Sequence, residues 1–220
     1  MLTRDLPSQT IPHLRLHDTV FQALQLMNDY HVAHLPVKNE NQYAGIISVD
    51  QLLRCEDETT TLENLQIEFN KTAVKDDEHF LKALQVAVQN GVSVVPVLDD
   101  ENEMVGVVSH HDLLKYASEF MSLQEPGGLI VIEMENKAYS FSEINRVIES
   151  NDAQITQLNT VTNPQTGLMQ VTIKVNKLEI ADIVASLQRF EYNVKYYFGE
   201  ELYENELRSN YDNLMNYLKI

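Results

Sequence analysis

Residues 18–37 recur without a gap sixty positions later, at 78–97. Ala23, Leu24, Gln25, Val32, Pro36 and Val37 return as Ala83, Leu84, Gln85, Val92, Pro96 and Val97. After one inserted residue the echo resumes, and Gly45, Ser48, Leu52 and Leu53 return as Gly106, Ser109, Leu113 and Leu114. A repeat constrains the fold before any other property does. Each copy must be the same supersecondary unit, and neighbouring copies bury what one copy cannot bury alone. Two copies predict a symmetric pair with a cleft between them where a small molecule could bind.

The pattern inside each copy reads alike. Val20, Ala23, Leu24 and Met27 fall at helical spacing, as do Phe80, Ala83, Leu84 and Ala87, so each copy carries an amphipathic helix. Asp18 and Thr19 precede the first helix and Asp76 and Asp77 the second, where capping oxygens and negative charge suit a helix N-terminus. Short strands are expected at 14–16 and 72–74. Each helix runs into a strand ending in Pro-Val, at 34–37 and 94–97, then a polar turn and a second strand at 44–48 and 105–109. Helices at 49–55 and 110–117 close the copies, and 57–71 is a polar connector with a turn of helix around Leu62–Ile67.

At Glu125-Pro126-Gly127-Gly128 the pattern breaks, which predicts a linker. Beyond it come a strand at 129–134, a helix at 141–150 with Phe141, Ile144 and Ile148 on one face, and a strand at 153–161. A turn at 163–167 leads to the clearest alternation in the chain, Met169, Val171, Ile173 and Val175 against Gln170, Thr172, Lys174 and Asn176. Ile180, Ile183, Val184 and Leu187 mark a helix, and 192–198 a last strand. The order βαββαβ is ferredoxin-like. The tail, 200–220, reads as a helix with Tyr203, Leu207, Tyr211, Leu214 and Leu218 on one stripe, packed on its own domain or on a second copy of the chain. The fold class is α+β. The expected domains are a repeat pair at 1–122 (copies at about 10–56 and 70–120), a ferredoxin-like domain at 128–199 and the terminal helix.

Charge and composition narrow the function. The formal net charge is −17. Such a field repels phosphate backbones, so neither nucleic acid nor an anionic membrane is an expected partner. The one cysteine, Cys55, permits no internal disulfide and sits beside Glu56, Asp57 and Glu58, which disfavour a thiolate. No apolar stretch approaches the roughly 20 residues that cross a bilayer, and the first residues lack a signal-peptide core. A soluble, cytoplasmic protein is expected. No nucleophile elbow, phosphate-cradling loop or HExxH motif is present, so no enzyme is expected. His31 and His34, and the adjacent His110 and His111, lack the spacing of a metal site. Neither metal nor cofactor is expected, and His34 reads as a strand residue with a satisfied hydrogen bond.

The motifs HVAHLPV with GIISVDQLL, and GVSVVPV with GVVSHHDLL, resemble the CBS domain, which occurs in tandem as a Bateman module. The stretch NKAYSFSEINRVI, followed by DAQI, resembles the ACT domain over 128–198. Together they are similar to acetoin-utilisation protein B-like CBS/ACT proteins. The first resemblance implies two clefts that often hold AMP, ADP, ATP or S-adenosylmethionine. A Ser or Thr and an Asp three residues on would hold ribose and phosphate, and strand residues would flank the adenine. In the second copy these are Ser109 and Asp112, with Val92 and Val94 on the strand, Val74 and Lys75 bordering the cleft, and His110 as a basic neighbour. In the first copy Ser48 is present but Gln51 replaces the Asp, so the second cleft is the competent one. Capping of the helix that opens near His110 is the alternative role for Asp112. In the ACT-like unit Tyr139 stands where the family carries a Gly, with Asn136 for the usual Asp, which favours dimerisation or coupling over amino-acid sensing. The expectation is a non-enzymatic, homodimeric regulatory protein that senses an adenosine-containing ligand, with an unidentified protein partner. The alternative is an interaction or scaffold protein with vestigial clefts.

Overall fold

In the computed structural model, which describes residues 1–6 and 11–199, the first copy opens on a short strand, β1 (Leu14–Arg15). Helix α1 (Val20–Asp29) follows and buries Val20, Ala23 and Met27. Thr19 caps it. Its hydroxyl accepts from the Gln22 N–H and the Gln22 side chain accepts in return from the Thr19 N–H, at 3.3 and 2.9 Å. The helix ends where His31 turns left-handed, at φ 53°. Strands β2 (His34–Asn39) and β3 (Gln42–Ser48) form a hairpin, and α2 (Val49–Leu52) closes the copy.

The second copy repeats this with β4 (Val74–Lys75), α3 (Phe80–Asn90), β5 (Val94–Leu98), β6 (Met104–Ser109) and α4 (His110–Phe120). Each copy is a three-stranded sheet, ordered β1-β2-β3 and β4-β5-β6, with the first pair parallel and the second antiparallel. Both hairpins slip register at the same place, opposite Gly45 and Gly106. The two cores interlock. Val94 and Val107 of the second copy pack with Leu14, Val20 and Leu35, while Ile46 of the first packs with Phe80, Val95 and Val97.

Several expectations need correction. α2 stops at Leu52 rather than residue 55, because Glu56, Asp57 and Glu58 crowd the negative end of the helix. The cap of α3 is His79, whose ring nitrogen accepts from the Leu81 N–H, and not Asp76 or Asp77. The chain makes a further turn before the helix, in which the Glu78 carboxylate accepts from the Lys75 N–H at 2.8 Å. The first copy makes the same turn with Asp18 and Arg15, at 2.7 Å.

Each copy is also completed by a segment outside the echo. The turn Leu62–Asn64 closes the first copy: the Val20 N–H donates to Thr60 O, Leu62 to Asp18 O and Glu63 to Leu16 O. The N-terminal turn Thr3–Asp5 closes the second with the equivalent bonds, from Phe80 to Met1 O, Thr3 to Glu78 O and Arg4 to Asp76 O. Thr3 and Leu6 are fully buried there. The turn Thr3–Asp5 therefore belongs to the second copy, although β1 of the first copy follows it in sequence.

The connector lies along β3, where Ile46 and Asn70 exchange backbone hydrogen bonds at 2.8 and 3.2 Å. Gly45 makes room for it. Its φ is +138°, and a Cβ there would lie 2.6 Å from Phe69 Cβ and 2.8 Å from Asn70 O. Gly45→Ala is expected to cost about 2–4 kcal/mol, since backbone strain and overlap add. A fall in the urea midpoint at unchanged slope checks this.

The chain forms two compact units that divide between Ser118 and Glu119. The second unit holds β7 (Leu129–Glu135), α5 (Phe141–Glu149), β8 (Ile155–Thr162), β9 (Leu168–Val175), α6 (Ala181–Arg189) and β10 (Asn193–Phe198). Its antiparallel sheet is ordered β10-β7-β9-β8, the ferredoxin-like arrangement. Ile130, Ile132, Val171 and Ile173 meet Ile144, Ile148, Ile183 and Leu187 in one core. Phe141, expected on the buried face of α5, is 50% exposed at its first position. Lys174 is buried rather than solvated, and its ammonium donates to the carbonyls of Ser122 and Glu125. The terminal helix expected at 200–220 lies outside the described residues. Among the described residues no helix is long and apolar enough to cross a membrane.

Candidate functional site

Each hairpin delivers a serine to the start of its closing helix. In the second copy the Asp112 carboxylate accepts from the Ser109 N–H at 2.9 Å and from its hydroxyl at 2.7 Å, and the Asp112 N–H donates to Ser109 Oγ at 3.1 Å. In the first copy the Gln51 amide oxygen accepts from the Ser48 N–H at 2.9 Å and hydroxyl at 3.1 Å, and the Gln51 N–H donates to Ser48 Oγ at 3.2 Å. These are the same reciprocal cap, built once with a carboxyl group and once with an amide. Asp112 is fully buried, whereas Gln51 is half-buried.

The other expected residues divide between the two ends of β5. Val94 pairs with Ser109, and the His110 N–H donates to Ser93 O, so Ser109, His110, Asp112 and Val94 gather at one end. Val92 lies two residues before Val94, at the close of α3. Val92 and Val94 are buried in the core. Val74 and Lys75 pair with Val97 and Leu98. The four positions between Val94 and Leu98 span about 13 Å at the rise of a strand. Lys75 turns its ammonium to the hairpin tip, donating to Asp99 O at 2.6 Å and Asn102 Oδ1 at 3.2 Å. The structure thus does not bring Val74 and Lys75 to the serine end.

A residue to which the sequence assigned only a structural bond lies at that end. His34 Nδ1 accepts from the Ser93 N–H at 3.2 Å. Burial, then the nearby His110, hold the His34 imidazole below its ordinary pKa, with Asp50 opposing them. His31, the left-handed residue that ends α1, and His34, in β2, belong to different elements. Among the described residues no three His, Cys, Asp or Glu side chains converge on a metal position.

In the ferredoxin-like unit Tyr139 packs half-buried against the core, and Asn136 opens the short turn before it. The Ser140 hydroxyl caps α5 through the Glu143 N–H at 3.4 Å.

The comparisons agree with this geometry. The family model for the CBS domain matches residues 4–58 and 70–119. Inosine-5'-monophosphate dehydrogenase of Methanocaldococcus jannaschii is 27% identical over 134 residues, 60% of this chain and 27% of that protein. Homoserine O-acetyltransferase of Methanococcoides burtonii is 28% identical over 115 residues, 50% of this chain and 22% of that protein. The chain therefore spans well under half the length of these two relatives. A crystal structure of a CBS domain pair/ACT domain protein from Thermotoga maritima superposes with a TM-score of 0.50 at 24% identity, covering 55% of this chain and 99% of that one.

Proposed function

We propose, from the premise that this chain is a tandem pair of CBS domains followed by an ACT-like domain, that it is a non-enzymatic regulatory protein sensing an adenosine-containing ligand. The ligand would be AMP, ADP, ATP or S-adenosylmethionine, held in the second cleft by Ser109 and Asp112 with His110 beside them. One observation carries this reading. The first copy builds its helix cap with a neutral amide, so the cap requires an acceptor and not a charge. A fully buried carboxylate is expensive where an amide suffices, and Asp112 keeps one. The pair Ser109 and Asp112 is the one the resemblance assigns to ribose and phosphate, and Gln51 breaks it in the first copy.

The relatives support a regulatory role over a catalytic one. A dehydrogenase and an acetyltransferase, enzymes of unrelated reactions, match this chain over only 27% and 22% of their lengths. A module carried by different enzymes gives this pattern. Titration of the full chain with the four ligands tests the reading, and binding of at least one is expected.

The ACT-like unit acts in this scheme as a dimerisation and relay domain. Apolar surface on both units favours a homodimer. Phe21 and Leu81 are 56% and 44% exposed at equivalent positions of the two copies, and Leu53 and Leu114 are 65% and 70% exposed at another. In the ACT-like sheet Phe198 is 63% exposed. Such surface is costly to leave in water. Light scattering at micromolar concentration is expected to give twice the chain mass of 25.2 kDa, and a clean monomer contradicts the pairing. The second reading, a scaffold with vestigial clefts, is favoured by the position of Asp112, whose carboxylate is fully buried and already engaged in the cap.

A further inference from the structure

The two copies attach their closing helices in the same way. The Val49 N–H donates to Ala33 O at 2.9 Å, and the His110 N–H donates to Ser93 O at 3.0 Å. Ala33 and Ser93 are equivalent positions of the repeat, and they meet across the pair. The Ala33 N–H donates to Ser93 Oγ at 3.0 Å, and the Ser93 N–H donates to His34 Nδ1 at 3.2 Å. Ser93 Oγ also lies 3.2 Å from the same ring nitrogen. We propose that His34 and Ser93 form a proton-sensitive latch between the two CBS repeats, closed while the His34 ring is neutral and open when Nδ1 takes a proton from solvent.

The direction of the Ser93 bond fixes the chemistry. A backbone N–H can only donate, so Nδ1 must offer its lone pair and the ring proton must sit on Nε2. Protonation turns Nδ1 into a donor, and two N–H groups then face each other. The Ser93 hydroxyl can turn to accept from the ring, but the Ser93 amide is left without its acceptor in a partly buried site, which is costly.

Two titratable groups face the ring, His110 at the start of α4 and Asp50 on α2. Burial comes first and His110 second in disfavouring the charged ring, against Asp50. Because the folded-state pKa is depressed below 6.5, the latch stabilises the pair fully above that value. The contribution is lost as pH falls below it toward the folded-state pKa, where the unfolded chain binds the extra proton. Acid that protonates the ring thus weakens the packing of the two repeats, with or without a ligand.

The full chain labelled with nitrogen-15 tests the latch. Near neutral pH the His34 ring is expected as the Nε2–H tautomer. On acidification to the point where the ring signals show His34 protonated, the exchange protection of the Ser93 amide is expected to fall by about tenfold, the effect of losing one buried hydrogen bond. His34→Asn places an amide oxygen where Nδ1 lies and does not titrate, so its Ser93 protection is expected to hold across the same range. An Nδ1–H tautomer near neutral pH overturns the latch. So does unchanged wild-type protection, or an equal loss in His34→Asn.

Discussion

Leu6→Ala is expected to destabilise the CBS pair by about 2–4 kcal/mol, the cost of emptying a buried leucine site that collapses only in part. Leu6 lies far from the second repeat in sequence and is fully buried in its core, with Val74, Phe80, Ala83, Val97 and Leu113. The bonds that bring it there pass through the turn Thr3–Asp5, which the Glu78 and Asp76 carbonyls hold at 2.9 and 3.1 Å. Phe80 donates its N–H to Met1 O at 3.2 Å, so the start of α3 depends on the same segment. Urea unfolding reads the loss as a lower midpoint. A change within about 0.5 kcal/mol, the range of an ordinary surface substitution, would show that the N-terminal turn is not part of the second core.

That dependence was hidden in the sequence for a physical reason. The helices and hairpins announce themselves through apolar spacing, because packing requires Ala23 and Ala83, Pro36 and Pro96, or Leu52 and Leu113 at the same places. The closing turns rest on backbone hydrogen bonds, which almost any residue can make. Asp5-Leu6 against Asn64-Leu65 is the faint echo they leave. The apolar pattern that predicts a longer α2 runs on into residues whose negative charge opposes a helix end. Alternation along β9 places Lys174 on the solvent side, and its cover comes from the segment whose Ser122 and Glu125 carbonyls accept from its ammonium.

The site was legible at the serine end and not beyond it. Ser48 with Gln51 and Ser109 with Asp112 could be paired from the repeat, and the structure joins each pair in a cap. Val74 and Lys75 were assigned to the same cleft from a resemblance, but the parallel register of β4 on β5 carries them to the other end of the strand. His34 and Ser93 stand at positions where the copies differ, so the repeat gave no hint that they meet.

Asp112→Asn separates the two roles of this residue. An amide oxygen can still accept from the Ser109 N–H, as the Gln51 oxygen does for Ser48 at 2.9 Å. The stability cost is therefore expected to stay near 1–2 kcal/mol, about one hydrogen bond made less well. A ligand that uses the carboxylate loses hydrogen bonds to a charged group, worth about 1.5–3 kcal/mol, or roughly ten- to hundredfold in affinity. If Asp112 is only a cap, stability changes and affinity does not.

Isothermal titration of AMP, ADP, ATP and S-adenosylmethionine into the wild-type chain and into Asp112→Asn, both verified as folded, is the most direct test of ligand sensing at the second CBS cleft. Binding of at least one of the four below millimolar concentration is expected in the wild type, with at least about a tenfold loss in the variant. No heat from any of the four at millimolar concentration, or equal affinity in the two proteins, contradicts a sensing role for Ser109 and Asp112.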